Sequence, residues 1–293
     1  MNVTLALGGG GAKGNSHIGV IRRLEKENFR IRAVAGTSFG GIVAVMYAAG
    51  YSPAEIEQIF ADVDQSRLYN RAKEESSSLL GLVGVRAWLD TVLGERTFED
   101  LKIPCAVTAT DMTSGREIIL SKGRLKDALL ATIALPGIFP VFVADGMELV
   151  DGGVLDPVPV SVARSLAPKL PVIAVILARP LGAPVRNVTV PVPRIVPRVI
   201  ANRLTQTRFA QVFDHFMRAV DIGGRQIGEL RLKAEAPDVI IHPAVDHIEL
   251  LDKVDVHQVA RLGDQAVEAV LPELLNLMPL SERLRRKIFG GRK

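Results

Sequence analysis

Val3-Thr4-Leu5-Ala6-Leu7-Gly8-Gly9-Gly10-Gly11-Ala12-Lys13-Gly14 is the stretch that decides the fold. Val3 to Leu7 is a short apolar run, as a buried strand requires, and four glycines break it. His17 to Glu27 then reads as a helix. Ile18, Ile21 and Leu24 share one face, and Arg22, Arg23 and Lys26 lie away from it. The same unit follows at once: a strand over Ile31 to Ala35, the turn Gly36-Thr37-Ser38-Phe39-Gly40, and an apolar helix from Ile42 to Ala49 closed by Gly50. Ser52-Pro53-Ala54-Glu55 is a capping box with proline at the first helical position, so another helix starts there. Strand, glycine turn and helix in alternation imply an α/β fold, a mostly parallel central sheet with helices on both faces.

Further along the chain the pattern is sparser. Ser76-Ser77-Ser78 and Gly81 to Gly84 read as connector, Arg86 to Leu93 as helix, and Cys105 to Thr110 and Val172 to Ala178 as strands. Between those strands come a helix over Ala128 to Leu135 and the turn Leu135-Pro136-Gly137. Pro180 to Pro197 holds five prolines and reads as an extended loop. A long amphipathic helix is expected over Val199 to Val220, with Phe209, Val212, Phe213, Phe216 and Val220 on one face. Val239 to Ile241 is the last strand and Val256 to Leu275 the last helix. The expected organisation is a core over 1–179, the proline-rich loop 180–197, helices and a strand over 198–281 that complete the same domain, and a basic tail over 282–293.

The 293 residues are 48% apolar and 23% charged, which excludes a disordered or fibrous chain. One cysteine, Cys105, excludes an internal disulfide framework and a cysteine-based zinc site. The N-terminus has no basic region before its short apolar run, so no signal peptide is expected. Ala33 to Ala54 carries no charge over 22 residues, enough to span a bilayer. Its four glycines, with Thr37 and Ser38 between, fit a strand, a tight turn and a buried helix better.

The first glycine loop admits three readings. Gly9, Gly11 and Gly14 satisfy the dinucleotide pattern G-x-G-x-x-G, but the second strand ends in Ala33-Val34-Ala35-Gly36 with no acid for a ribose. A phosphate-binding P-loop needs lysine after its last glycine; here Lys13 precedes Gly14. An oxyanion hole needs only clustered backbone N–H groups beside a nucleophile. Gly36-Thr37-Ser38-Phe39-Gly40 offers that nucleophile, since G-x-S-x-G between strand and helix is a nucleophile elbow.

A serine hydroxyl needs a base. His215, His242, His247 and His257 follow Ser38 in the order of a hydrolase triad, but none carries a local signature, and His17 lies just past the glycine loop. Asp151, in Val150-Asp151-Gly152-Gly153, is the other candidate: one carboxylate on a turn whose glycines let another backbone approach.

Taken together, the Gly8–Gly14 loop, Gly36–Gly40 and Asp151-Gly152-Gly153 resemble the patatin-like phospholipase family in motif and in order. Thr110-Asp111 and Leu135-Pro136-Gly137-Ile138-Phe139-Pro140 look like its bacterial members. The resemblance implies a Ser38–Asp151 dyad without histidine, with the amides around Gly9, Gly10 and Gly11 as the oxyanion hole. Gly14, Gly36, Gly40, Gly152 and Gly153 would support the motifs, and Lys13 would orient the loop or meet a lipid phosphate. Asp156 departs from the asparagine many members carry after the aspartate motif, which bears on how the Asp151 turn is hydrogen-bonded. The expected reaction is hydrolysis of a lipid ester, with no metal or cofactor. Rival readings are acyl transfer by the same dyad, a hydrolase with a histidine triad, and a non-catalytic nucleotide-binding regulatory domain.

Charge is uneven. The formal net charge is +4, yet residues 1–163 sum to −3, 164–233 to +9, 234–281 to −7 and 282–293 to +5. No aromatic interleaving or nucleic-acid motif accompanies the basic segments, so no nucleic-acid partner is expected. Beside a lipid-ester site, an anionic membrane surface meeting 180–233 and 282–293 is the expected partner. A homodimer through 208–220 is the other. The expected location is cytoplasmic, peripheral to the inner face of the membrane.

Overall fold

The computed structural model describes residues 1–65, 67–69, 78–184 and 208–279. β1 (Asn2–Leu7) and β2 (Arg30–Thr37) pair in parallel, and α1 (Ser16–Lys26) and α2 (Phe39–Ala48) follow their glycine turns. The uncharged stretch therefore divides into β2, a turn and α2. Among the described residues no helix is long and apolar enough to cross a membrane. α3 (Pro53–Ala61) begins at the expected capping box: the Ser52 hydroxyl accepts from the Glu55 N–H, and the Glu55 carboxylate accepts from the Ser52 N–H.

Next come α4 (Val83–Leu93), β3 (Cys105–Asp111), β4 (Arg116–Leu120), α5 (Leu125–Thr132), β5 (Phe142–Ala144), β6 (Met147–Asp151), α6 (Val160–Leu166) and β7 (Val172–Val175). After them come α7 (Arg208–Glu235), β8 (Val239–Ile241), α8 (Val256–Ala269) and α9 (Leu271–Leu277). The sheet runs β5-β6-β3-β2-β1-β7-β8, with β4 also on β3. The run from β3 to β8 is parallel; β4 and β6 are antiparallel to β3, and β5 to β6.

β3 has three partners and only two edges. β2 pairs with Cys105 to Thr108, β6 with Ala109 to Asp111, and β4 with Val107 to Asp111, overlapping both. β2 and β6 must therefore share one edge. β2 runs parallel to β3 and ends opposite Thr108; β6 runs antiparallel and ends opposite Ala109. The two strands meet head to head, and that junction positions the site.

Alternation along β1 sends Val3, Leu5 and Leu7 into the larger core. On the other face Ala6, Ala35, Ala106 and Ala174 form a row of small residues against Val160, Val162 and Ala163 of α6. α1 and α8 cross in backbone contact. A side chain at Gly19 would overlap the Ala260 carbonyl, and one at Gly263 the Ser16 carbonyl.

Four expectations are corrected. The long helix does not end near Val220 but continues through Gly223-Gly224 to Glu235. The pairs Asp214–Arg218, Asp221–Arg225, Glu229–Lys233 and Arg231–Glu235, each four residues apart, hold it across the glycines. Its apolar stripe is narrower than expected: Phe213 and Met217 are buried, while Val212 and Phe216 are exposed. The last helix is two, because Pro272 starts α9 and cannot continue α8. The helix before Pro136 lies three residues earlier than expected, since a proline disfavours helical backbone at the preceding residue. Most of the proline-rich loop, the start of the Val199 helix and the basic tail lie outside the described residues. Within α7, Arg218, Arg225, Arg231 and Lys233 are all paired with acids.

Candidate active site

Ser38 follows β2 and Asp151 ends β6, so the head-to-head junction on β3 brings them together. Ser38 occupies φ 55, ψ −127, a conformation that L residues rarely adopt. Three features hold it there. The Ser38 N–H donates to the Thr132 hydroxyl at 2.9 Å. The Thr37 hydroxyl donates to the Asp156 carbonyl at 2.8 Å and lies 2.7 Å from the Thr108 hydroxyl. A side chain at Gly36 would overlap the Gly40 carbonyl, and one at Gly40 would overlap the Leu7 carbonyl, so the elbow closes only on glycine.

Asp151 is buried, 5% exposed; its carboxylate accepts the Gly153 N–H at 2.8 Å and lies beside the Ser38 hydroxyl. Burial pushes its pKa up to about 6, against the downward pull of the Ser38 hydroxyl and the Gly153 N–H. Gly152 lies directly on Thr108, where a side chain would overlap the threonine hydroxyl. The turn closes through the Asp156 N–H, which donates to the Gly152 carbonyl at 2.8 Å. The Asp156 side chain is buried and meets Arg231 of α7 at 3.1 Å, so it ties that helix to the turn. Burial raises the Asp156 pKa and Arg231 opposes the rise.

The glycine loop leaves β1 beside the elbow, because Leu7 pairs with Gly36. A side chain at Gly9 would come within 3.2 Å of Ser38 Cβ, and one at Gly14 would overlap the Phe39 ring. The Gly9 N–H is already taken by the Pro157 carbonyl at 3.0 Å. Among the described residues no carbonyl accepts from Gly10 or Gly11. Gly11 sits at φ 56, where a side chain would overlap the Leu250 carbonyl, and it opens a 3₁₀ turn (Gly11–Asn15) that leads into α1. The Lys13 Nζ reaches the Leu177 carbonyl at 3.4 Å, and burial together with Arg179 lowers its pKa.

A cavity of about 670 Å³ opens from Ser38 and Asp151. Its wall is mainly apolar: Ile42, Leu80, Leu82, Val85, Leu135 and Leu250 contribute, with an aromatic row of Phe39, Phe60 and Trp88 whose centroids are 5.1 and 5.4 Å apart. Among the described residues no histidine lines it. His17 is buried on the Gly8 carbonyl, and His257 lies 2.6 Å from Glu57. Asp111, of the Thr110-Asp111 pair, caps the turn after β3. The Ser114 hydroxyl and the Thr113, Ser114 and Glu148 N–H groups hold its pKa down. Sequence reasoning missed Thr132; a lone hydroxyl at the end of the apolar run Leu129-Leu130-Ala131 was the available signal.

Residues 5–164 match the sequence profile of the patatin-like phospholipase family, and the chain belongs to that family. An uncharacterized NTE family protein of Mycobacterium tuberculosis is 37% identical over 164 residues, 54% of this chain and 44% of that protein. The lysophospholipase NTE1 of Mycosarcoma maydis is 31% identical over 174 residues, 57% of this chain and 9% of that protein. The chain thus matches less than half the length of either relative. Among solved structures, VipD from Legionella pneumophila superposes with a TM-score of 0.56 at 14% identity, covering 93% of this chain and 66% of that one. At that identity the likeness is one of fold.

Proposed function

We propose that this chain is a serine acyl hydrolase whose substrate is a lipid ester with a long acyl chain. The observation that carries the reading is a buried aspartate beside an elbow serine, both lining one end of an apolar cavity. The apolar wall suits an acyl chain and the aromatic row lies along it. The fungal lysophospholipase among the relatives agrees with this substrate class.

Ser38 Oγ bonds to the ester carbonyl carbon while its proton passes to the Asp151 carboxylate. The carbonyl oxygen gains the electron pair and is held by the N–H groups of Gly10 and Gly11. Gly9 is left out of the hole in this reading, since its N–H is engaged by Pro157. Collapse re-forms the carbonyl, breaks the ester bond and returns the proton to the leaving alcohol. Water then repeats the sequence on the acyl-enzyme. Each oxyanion donor is worth about 10²–10³ in rate. A pKa near 6 makes Asp151 a stronger base than an ordinary carboxylate, yet leaves it ionised at neutral pH.

The test is a panel of lysophospholipids, phospholipids and simple esters with wild type beside Ser38→Ala. Parallel intact-mass measurement follows reaction with a fluorophosphonate. Wild type should release fatty acid and gain one phosphonyl adduct; Ser38→Ala should do neither. Equal turnover by the two proteins would overturn the reading.

A further inference from the structure

We infer that His17 is a positioning residue whose ring N–H fixes the glycine loop so that the amides of Gly10 and Gly11 face the acyl oxygen. The inference rests on the hydrolase reading of Ser38 given above. His17 lies on the buried face of α1, fully enclosed, with Nε2 2.8 Å from the Gly8 carbonyl. A carbonyl only accepts, so the proton is on Nε2 and Nδ1 is bare. No group among the described residues meets Nδ1. The ring is neutral, because burial drives its pKa down to about 4. An unsatisfied buried nitrogen costs stability that an aliphatic side chain on this apolar face would not.

The Gly8 carbonyl and the Gly9 N–H belong to one peptide unit. His17 holds its oxygen, and the Pro157 carbonyl holds its N–H at 3.0 Å. On the far side of the loop, the Ala12 N–H is held by the Leu250 carbonyl at 2.9 Å. The two peptide units between these anchors carry the Gly10 and Gly11 N–H groups. Four consecutive glycines have no side chains to resist peptide rotation, so the orientation of those groups is set by the anchors. The Gly8 oxygen also borders the elbow: a side chain at Gly40 would reach within 2.6 Å of it. The histidine thus clamps the loop where it touches the nucleophile's turn.

The experiment measures hydrolysis of 4-nitrophenyl butyrate by wild type, His17→Leu, His17→Gln, His17→Asn and Ser38→Ala, with a melting temperature for each. Glutamine carries an N–H donor at about the reach of imidazole Nε2; asparagine falls short and leucine has none. The expected result is a kcat roughly 10- to 100-fold lower in His17→Leu and His17→Asn, KM unchanged, and most of the loss recovered in His17→Gln. Phosphonylation of Ser38 should slow in the same order. If leucine prevents folding, the glutamine–asparagine pair decides the matter alone. Wild-type kcat in His17→Leu, equal impairment in the glutamine and asparagine variants, or a loss confined to KM would overturn the inference. Full hydrolysis by Ser38→Ala would instead overturn the hydrolase reading.

Discussion

The turns after β1 and β2 are two solutions built from the same parts. Each joins a buried parallel strand to a helix through glycines, and the strands are neighbours in the sheet. After β1 the chain is stripped of side chains, so backbone N–H groups are what it presents. After β2 the backbone is bent into a conformation disfavoured for serine, so a side chain is what it presents. The first turn is held by hydrogen bonds from outside it, at His17, Pro157 and Leu250. The second is held by packing of glycine against carbonyl and by Thr132. In the proposed reading, a donor site and a nucleophile thus differ by which residue is allowed a side chain.

Exchanging the features of the two turns tests the comparison. The largest effect belongs to Asp151→Asn, which leaves the elbow intact and removes its proposed base. Turnover should fall roughly 10²–10⁴-fold. Wild-type kcat/KM should rise with pH through about 6 and level off above it, because the carboxylate is the active form; the residual activity of the variant should lack that limb. Stability moves the opposite way. The folded pKa of Asp151 lies above its ordinary 3.8, so its contribution is present at low pH and is lost as pH rises through about 6. Melting curves should show Asp151→Asn level with wild type near pH 4 and more stable at pH 8, by up to about 3 kcal/mol.

Next comes Gly11→Ala, which places a side chain in the turn that excludes them. A Cβ at φ 56, against the Leu250 carbonyl, should lower stability by about 1–2 kcal/mol. It should also cut kcat by roughly 10²–10³-fold through displacement of an amide donor. The smallest effect on stability belongs to Ser38→Gly, which removes the side chain from the turn that presents one. Activity should be lost with the proposed nucleophile, but relief of the strained backbone should raise stability by about 1 kcal/mol, read as a higher melting temperature. A fall in stability there would break the comparison.

Much of this site was legible in the sequence because it is local. The two glycine turns, the capping box at Ser52 and the Asp151 turn each lie within a few residues. The antiparallel additions were harder: β5 has three residues, and the Asp145-Gly146 turn that makes its hairpin, with φ 51 and 76, was the one available sign. The head-to-head meeting of β2 and β6 on β3 is a matter of register, and register appears in no single segment. Thr132, Pro157 and Leu250 likewise reach the site only through tertiary contact. α7 runs past Val220 and through Gly223-Gly224 because ion pairs along the helix and the Arg231–Asp156 bond, the latter visible only in the fold, carry it.

The crossing of α1 and α8 has a consequence in time. Gly19 and Gly263 fit backbone to backbone, and roughly 240 residues of synthesis separate them. At about 5–20 residues per second, α1 waits on the order of 10–50 s on the ribosome for the helix that covers it. Through that interval the nascent chain already contains the glycine loop and Ser38, while Gly19, Arg22 and Arg23 of α1 still lack the backbone and the acids, Asp264 and Glu268, that α8 brings to them.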